Sequence, residues 1–303
     1  MPSHPPPSTN TTTFLLTALS QNQRLDRRTL TAYRPLTLTF PSQRGLASVR
    51  LGKTHILAQI TSSIIAPSAD RKFEGVFTIN CEGSGLAGAG YDGVGGRQDP
   101  AELVLSRLLE KTVRRSGALD TEGLCIVAGK KCFAIRADVH VLDHDGNVAD
   151  AACLAVVAGL LHFRRPDFEV SGDGRVQIFE EREREGVKLG MLHTPFCVSF
   201  SYFADGTIVL NDASLVEEQC REGEIVVSMN RFGEVCQIVK NGGAPLDAAS
   251  ALACVTAAGE KVRVFDRMVK EALAEDEERR DGGGERRAEL RAENERPVQA
   301  LIG

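Results

Sequence analysis

Tryptophan is absent from the 303 residues, tyrosine occurs three times, and aromatic residues make up only 5%. That scarcity argues against a surface platform of several aromatics of the kind that stacks unpaired bases. Positive charge is not in excess either: 36 Lys and Arg stand against 41 Asp and Glu, a net charge of −5. Phosphate neutralisation supplies most non-specific affinity for nucleic acid, so a chain of this sign is a poor stand-alone binder. Any RNA contact then needs a local basic patch or a basic partner. No run of about 18 apolar residues occurs, which excludes a transmembrane helix and a membrane partner of that kind. The Pro/Ser/Thr-rich start lacks the cationic segment and apolar core of a secretory signal. Cysteine is present but not patterned. Cys81, Cys125, Cys132, Cys153, Cys197, Cys220, Cys236 and Cys254 include no Cys-x-x-Cys pair and sit in apolar segments, as expected of reduced, buried thiols in an intracellular protein.

What is present is the composition of an ordinary globular protein, 42% hydrophobic and 25% charged. Residues 1–12 are low in complexity and read as a disordered N-terminus; 13–23 read as a short helix. From Leu36 to Val141 the chain is strand-rich, with a Gly-rich loop from Gly83 to Gly96 and a helix over 100–116 whose apolar side is Leu103, Leu105, Leu108, Leu109 and Val113. Phe133, Ile135, Ala137, Val139 and Val141 alternate with polar residues, the period of a half-buried strand. His144-Asp145-Gly146-Asn147 then supplies a tight turn, and Ala151 to Phe163 a buried helix. A loop and charge run fill 166–190. Strands return, and Gly242-Gly243 precedes a second long helix over about 246–273. The repeated order predicts an α+β fold, an α/β sandwich in which two similar sheet-and-helix halves share one core over residues 13–274. Residues 275–303 are nearly all Glu, Arg, Asp, Ala and Gly, a charged tail, helical or disordered, that reads as dispensable for folding.

Several side-chain groups invite a chemical reading. Gly83-Ser84-Gly85-Leu86-Ala87-Gly88 fits a dinucleotide-binding glycine pattern, but no helix opens there, and a plain loop is the better reading. Asp138, His140, Asp143, His144 and Asp145 resemble metal ligands on paper, yet strand alternation sends them in different directions. Asp212, Glu217 and Glu218 follow a strand and could place carboxylates at both ends of one turn; a solvated acidic loop is the plainer account. Arg107, Lys111 and Arg114 lie at i, i+4 and i+7, one helix face, with Arg97 and Arg115 nearby. Such a stripe can track a phosphate backbone, although helix faces are commonly charged.

The strand, turn and helix around His144–Asn147 resemble the central signature of the RNase PH family, phosphate-dependent 3′→5′ exoribonucleases and their inactive relatives. Arg24-Leu25-Asp26-Arg27-Arg28 is similar to that family's Arg-x-Asp-Gly-Arg, with Arg27 at the glycine. Arg34-Pro35-Leu36, the hairpin from Gly45 through Val49-Arg50-Leu51-Gly52-Lys53-Thr54, and Gly96-Arg97 follow in order. The resemblance spans about residues 20–273. Asp120 to Gly129 and His162-Phe163-Arg164-Arg165-Pro166 are similar to one type of eukaryotic RNA exosome ring subunit. The resemblance implies the RNase PH fold and a six-membered ring of homologous RNase PH-like subunits. It also implies OB-fold/KH cap subunits, an associated hydrolytic exoribonuclease and RNA as partners, and residence in nucleus, nucleolus and cytoplasm. In active members the turn continues Asp-Gly-Gly-Thr and cradles phosphate; here it continues Asn147-Val148. The family's acidic pair stands as Asp212 and Glu218. Asn147, Val148, Asp212 and Glu218 therefore form a vestigial phosphate and metal region, and Arg97, Arg107, Lys111 and Arg114 a candidate RNA-binding set. The expectation is a non-catalytic ring subunit with no cofactor and no metal. The alternative is an active phosphate-dependent exoribonuclease, which needs phosphate and a metal near Asp212 and Glu218.

Overall fold

A computed structural model describes residues 7–85, 87, 100–171, 176–179, 183–243, 245 and 247–281. Ser8 accepts a hydrogen bond from the Thr11 N–H, so the first helix, α1 (Thr9–Ser20), starts inside the segment expected to be disordered. The first sheet contains β1 (Leu36–Thr39), β2 (Leu46–Leu51), β3 (Thr54–Ile65), β4 (Val76–Gly83), β5 (Cys125–Val127) and β6 (Lys131–Asp143). Its order is β1-β2-β3-β6-β4, with β5 also pairing β6; β4 and β6 are parallel and the other pairs antiparallel.

Between β4 and β5 runs α2 (Pro100–Leu109), which continues as a π-helical turn over Glu110–Arg114. A π turn sets its residues out of step with the 3.6-residue period. The apolar side differs from the one expected at two places: Leu103, on α2 ahead of the π turn, is 44% exposed, while Thr112, inside the turn, is fully buried and its hydroxyl lies 2.9 Å from that of Ser228. The next helix, α3 (Val148–His162), is apolar on all sides. The ribbons β7 (Arg164–Arg165) with β10 (Val187–Lys188), and β8 (Phe168–Val170) with β9 (Val176–Ile178), occupy the segment read as a loop.

The second sheet, in the order β12-β11-β13-β14, is built from β11 (Pro195–Phe203), β12 (Ile208–Asn211), β13 (Gly223–Asn230) and β14 (Val235–Gly242). A short helix, α4 (Leu215–Cys220), follows β12, and α5 (Ala248–Asp281) closes the described chain. α3 touches β2 and β3 on one side and β11 on the other, and α5 touches β11, β13 and β1. Helices thus fill the space between two sheets. That placement explains why α3 has no polar face and why every residue of β11 is buried. One hydrophobic cluster runs through both halves, from Val49 and Ile60 through Leu154 and Val157 to Val198 and Val262.

The body does not end at residue 274. Asp276 is 2% exposed, and Arg279 and Arg280 of the same helix both donate to its carboxylate. His162 Nε2 lies 3.1 Å from Asp276 Oδ2. Arg279 also donates to the Phe40 carbonyl at 3.1 Å, and Arg280 donates to the carbonyls of Pro41 and of Ser42, the latter at 2.6 Å. Glu277 pairs with Arg164 at 2.6 Å. The composition of this stretch concealed its packing, because what packs is ion pairs rather than apolar surface.

Candidate functional site

The turn after β6 is packed tightly against the loop before α4. Gly146 has φ +86°, and a Cβ there would fall 2.5 Å from the Ala213 carbonyl oxygen, so only glycine fits. Thr54 Oγ donates to the Gly146 carbonyl at 2.7 Å and accepts from the Asp145 N–H at 3.1 Å. Arg34 reaches into the same turn, donating to the carbonyls of Asp145 at 2.6 Å and Gly146 at 3.0 Å. Asn147 follows with φ +54°, a left-handed conformation that asparagine tolerates.

Three of the four residues of the vestigial region meet here. Asn147 Nδ2 donates to Asp212 Oδ1 at 3.0 Å and to Asp150 Oδ2 at 3.0 Å, and its backbone N–H donates to Glu218 Oε1 at 2.8 Å. Val148 opens α3 beside them and packs against the core. Asp212 is fully buried, and both of its oxygens are occupied. Oδ1 accepts from Arg34 Nη2 at 2.7 Å and from Asn147; Oδ2 accepts from Arg28 Nη1 at 2.7 Å, the Arg34 backbone N–H at 2.7 Å and Arg34 Nε at 3.0 Å. Burial alone would raise the Asp212 carboxyl, but the Arg34 contacts outweigh it and hold the group below the usual carboxylate range. Glu218 has only a more distant guanidinium beside it. Burial pushes it up to about 6, against the pull of Arg221 at 3.6 Å.

A second layer surrounds these residues. Arg24 is buried in a two-pronged pair with Glu217, Nε to Oε1 at 3.0 Å and Nη2 to Oε2 at 2.5 Å, and donates to the carbonyls of Asn211 and Asp212. Glu217 also accepts from the Ser214 N–H at 2.8 Å, closing the start of α4. Asp150 accepts from Tyr33 Oη at 2.8 Å, Ser199 Oγ at 2.6 Å and the Ser199 N–H at 3.1 Å, and burial pushes its carboxyl up to about 6. Arg24, Arg28, Arg34, Tyr33, Asp150 and Ser199 are not among the site residues expected from sequence. The arginines were legible in Arg24-Leu25-Asp26-Arg27-Arg28 and Arg34-Pro35. Tyr33, Asp150 and Ser199 carry no local signal.

The geometry does not suit a divalent cation at Asp212 and Glu218. A hard cation requires free carboxylate oxygens. Here both Asp212 oxygens accept from guanidinium groups, and the Glu218 oxygen nearest the turn accepts from Asn147. The arrangement is a cross-brace joining the arm before β1, the turn before α3 and the loop after β12. Of the other suspected ligands, Asp138 pairs with Arg136 at 2.7 Å and His140 lies 3.9 Å from Glu82.

The cationic set is separate from this cluster. Arg107, Lys111 and Arg114 are all exposed on α2 and its π turn, and none is a partner of Asp212, Glu218 or Asn147 among the described residues. Arg114 pairs with Glu110 at 2.5 Å, an exposed pair of small energetic weight. Arg97, and most of the Gly-rich loop, lie outside the described residues.

Comparison with known proteins places this geometry. Residues 32–166 match domain 1 of the 3′ exoribonuclease family, RNase PH, and residues 193–261 match domain 2. The exosome complex component rrp45 of Schizosaccharomyces pombe is 42% identical over 276 residues, covering 91% of this chain and 94% of that protein. Its Saccharomyces cerevisiae counterpart is 42% identical over 297 residues, covering 94% and 96%. The human exosome complex component RRP45 is 40% identical over 271 residues, 89% of this chain and 61% of that protein. In fold, the chain superimposes on a subunit of the Archaeoglobus fulgidus exosome with RNA bound to the active site, with a TM-score of 0.74 at 23% identity, covering 86% of this chain and 97% of that one. With both domains matched in order, and close relatives aligned over nearly the whole chain, this chain belongs to the RNase PH family of 3′ exoribonucleases.

Proposed function

We propose that this chain is a ring subunit of the RNA exosome that scaffolds the assembly and guides RNA without performing phosphorolysis itself. Its likeness to exosome components over nearly their whole length supports the ring role. The carrying observation for inactivity is Asp212. The acid that would serve a metal is fully buried and saturated by Arg28, Arg34 and Asn147. In the neighbouring turn, the Asn147 N–H, a donor that could face phosphate, is spent on Glu218. Catalysis of phosphoryl transfer depends on donors and cations aimed at the developing charge, and these are directed inward.

In this role the partners are homologous RNase PH-like subunits in a six-membered ring, OB-fold/KH cap subunits and a hydrolytic exoribonuclease that receives the RNA. The working compartments are the nucleus, nucleolus and cytoplasm. Arg107 and Lys111, with Arg97 just before the helix, contact RNA phosphates; Arg114, held by Glu110, contributes least. The purified chain, alone or with a ring partner carrying a disabled site, should release no nucleoside diphosphates from RNA when supplied with phosphate. Sustained release would install the phosphorolytic alternative. In the assembled complex, Arg107→Glu with Lys111→Glu should weaken RNA binding equally for unrelated sequences. It should also flatten the salt dependence by about 1.4 in log–log slope, the release from two single-strand phosphates.

A further inference from the structure

We infer a reversible covalent modification site on this chain: the cross-strand cysteines Cys125 and Cys132, which a low-molecular-weight disulfide of the glutathione type converts into an intramolecular disulfide. The two stand opposite each other where β5 pairs antiparallel with β6. Directly opposed residues of an antiparallel pair share one face, with Cβ atoms about 4.5–5.5 Å apart. A disulfide needs about 3.5–4.5 Å, so a movement of about 1 Å closes the gap. The pairing shifts register between Cys125 and Val127, which gives β5 an extra residue where that movement is needed. The turn beyond is held by its own bonds: the Lys130 N–H donates to the Val127 carbonyl at 3.0 Å, and the Gly129 N–H to the Lys72 carbonyl at 2.9 Å.

The two thiols differ in access, and the difference sets the order of reaction. Cys125 is half-buried, with its Sγ 4.0 Å from the Lys72 carbonyl oxygen at the rim of exposed residues 128–131. Cys132 is fully buried, between Cys125 on one side and Ile65 of β3 on the other. Burial pushes the Cys132 thiol up, and the Cys125 charge beside it adds to the rise. Cys125 therefore reacts first. Its thiolate attacks one sulfur of the oxidant, the oxidant's S–S bond breaks, and one glutathione leaves. Capped in the mixed disulfide, Cys125 carries no charge, and its share of the rise at Cys132 is gone. The Cys132 thiolate then attacks the Cys125 sulfur and expels the second glutathione. Two protein thiols and one glutathione disulfide thus give one protein disulfide and two glutathione thiols, with two electrons passed to the oxidant. A bond drawn across a strand pair is strained, and strained disulfides are the readily reduced ones, so reduced glutathione reverses the change. Cys153 and Cys197 also meet, but they are 0% and 1% exposed within the core and out of an oxidant's reach.

The test treats the assembled complex with oxidised glutathione, blocks the remaining free thiols and digests with trypsin for mass spectrometry. Cleavage at Lys130 and Lys131 separates the two cysteines. The disulfide should therefore appear as two joined peptides, one ending at Lys130 and the other running from Cys132 to Arg136, which dithiothreitol splits. In Cys132→Ser the reaction should stop at a glutathione adduct on Cys125. In Cys125→Ser, Cys132 should stay unmodified. Backbone hydrogens of β5 and the turn should exchange roughly ten- to a hundredfold more slowly in the oxidised wild type, because the closed loop restricts the opened state. Reduced glutathione should restore the original rate. A wild-type adduct on Cys125 with no joined peptides would overturn the pairing, as would joined peptides linking Cys125 to a different cysteine. An unmodified Cys125 would overturn its access and the inference with it. None of these readouts involves RNA or phosphorolysis, so failure here leaves the proposed function standing.

Discussion

Asp212 and Asp276 are two nearly inaccessible carboxylates, 0% and 2% exposed, each neutralised by two arginines. The partners of Asp212 lie 178 and 184 residues away in the chain, in the arm before β1. Those of Asp276 lie three and four residues away on its own helix, and the long-range links are made by His162 beside the carboxylate and by the arginines' remaining donors on Phe40, Pro41 and Ser42. The same pairing chemistry therefore does two jobs. Around Asp212 the ion pairs themselves join distant segments. Around Asp276 they are local and orient guanidinium groups that then grip backbone carbonyls. Exposure follows the division: Arg34 is 8% exposed, while the Arg279 side chain is 65% exposed and can be hydrated when its partner is lost.

Asp212→Ala should show the largest effect. Removing the acid takes away the buried counter-charge that Arg28 and Arg34 share, leaving them only the more exposed carboxylates of Asp26 and Asp145, and breaking one partner of a buried pair costs about 3–5 kcal/mol. Urea denaturation should show the midpoint falling accordingly, with α1 and the arm loosened first in hydrogen exchange. A loss near that expected of an exposed pair would mean the brace is redundant with the core.

Truncation after Leu273 should come second. It removes the carbonyl contacts of Arg279 and Arg280, the His162 contact and the Glu277–Arg164 pair. Charged hydrogen bonds are worth about 1.5–3 kcal/mol each when partly buried, offset here by the ordering of about two helical turns. A net loss of about 2–3 kcal/mol should appear as a fall of roughly 5–10 °C in Tm. An unchanged Tm would reduce the α5 end to a surface ornament and leave Asp212 as the one structural acid pair of the comparison.

The contrast also shows which features the chain discloses locally. The period-two run from Phe133 to Val141 and the apolar stretch after Asn147 announce β6 and α3 because sheet burial and helix burial write their periods into sequence. The glycine of the turn and the acids at 212 and 218 were legible through motif spacing. The role of Asp212 was not, because nothing near it in sequence indicates that Arg28 and Arg34 will face it. The end of the body was missed for the opposite reason. Residues 275–281 have the composition of a solvated tail, and composition does not distinguish a charge that meets water from one that meets a carbonyl. Leu103 falls off the Leu105, Leu108 and Leu109 stripe by ordinary helix spacing, and the π turn after Leu109 left no mark in the apolar pattern that would place Thr112 inside.

The smallest expected effect sharpens the comparison at the arm that supplies Asp212. Arg27 stands where the family motif has glycine, and its φ is +63°, the left-handed region that glycine enters without penalty. The turn is kept by the Arg27 N–H donating to the Arg24 carbonyl at 3.0 Å and by the Arg28 N–H donating to Asp26 Oδ1 at 3.1 Å. Both bonds use the backbone of Arg27 or lie beyond it, and its side chain is exposed with no partner among the described residues. A left-handed non-glycine residue costs roughly 1–2 kcal/mol. Glycine brings back about 0.4–1 kcal/mol through the added freedom of the unfolded chain. Arg27→Gly should therefore stabilise the protein by about 0.5 kcal/mol, a rise of roughly 1–2 °C in Tm. The gain should vanish in an Asp212→Ala background, where the arm no longer has to hold Arg24 and Arg28 in place. A stability loss in the wild-type background would show that the Arg27 side chain does work that the turn geometry does not reveal.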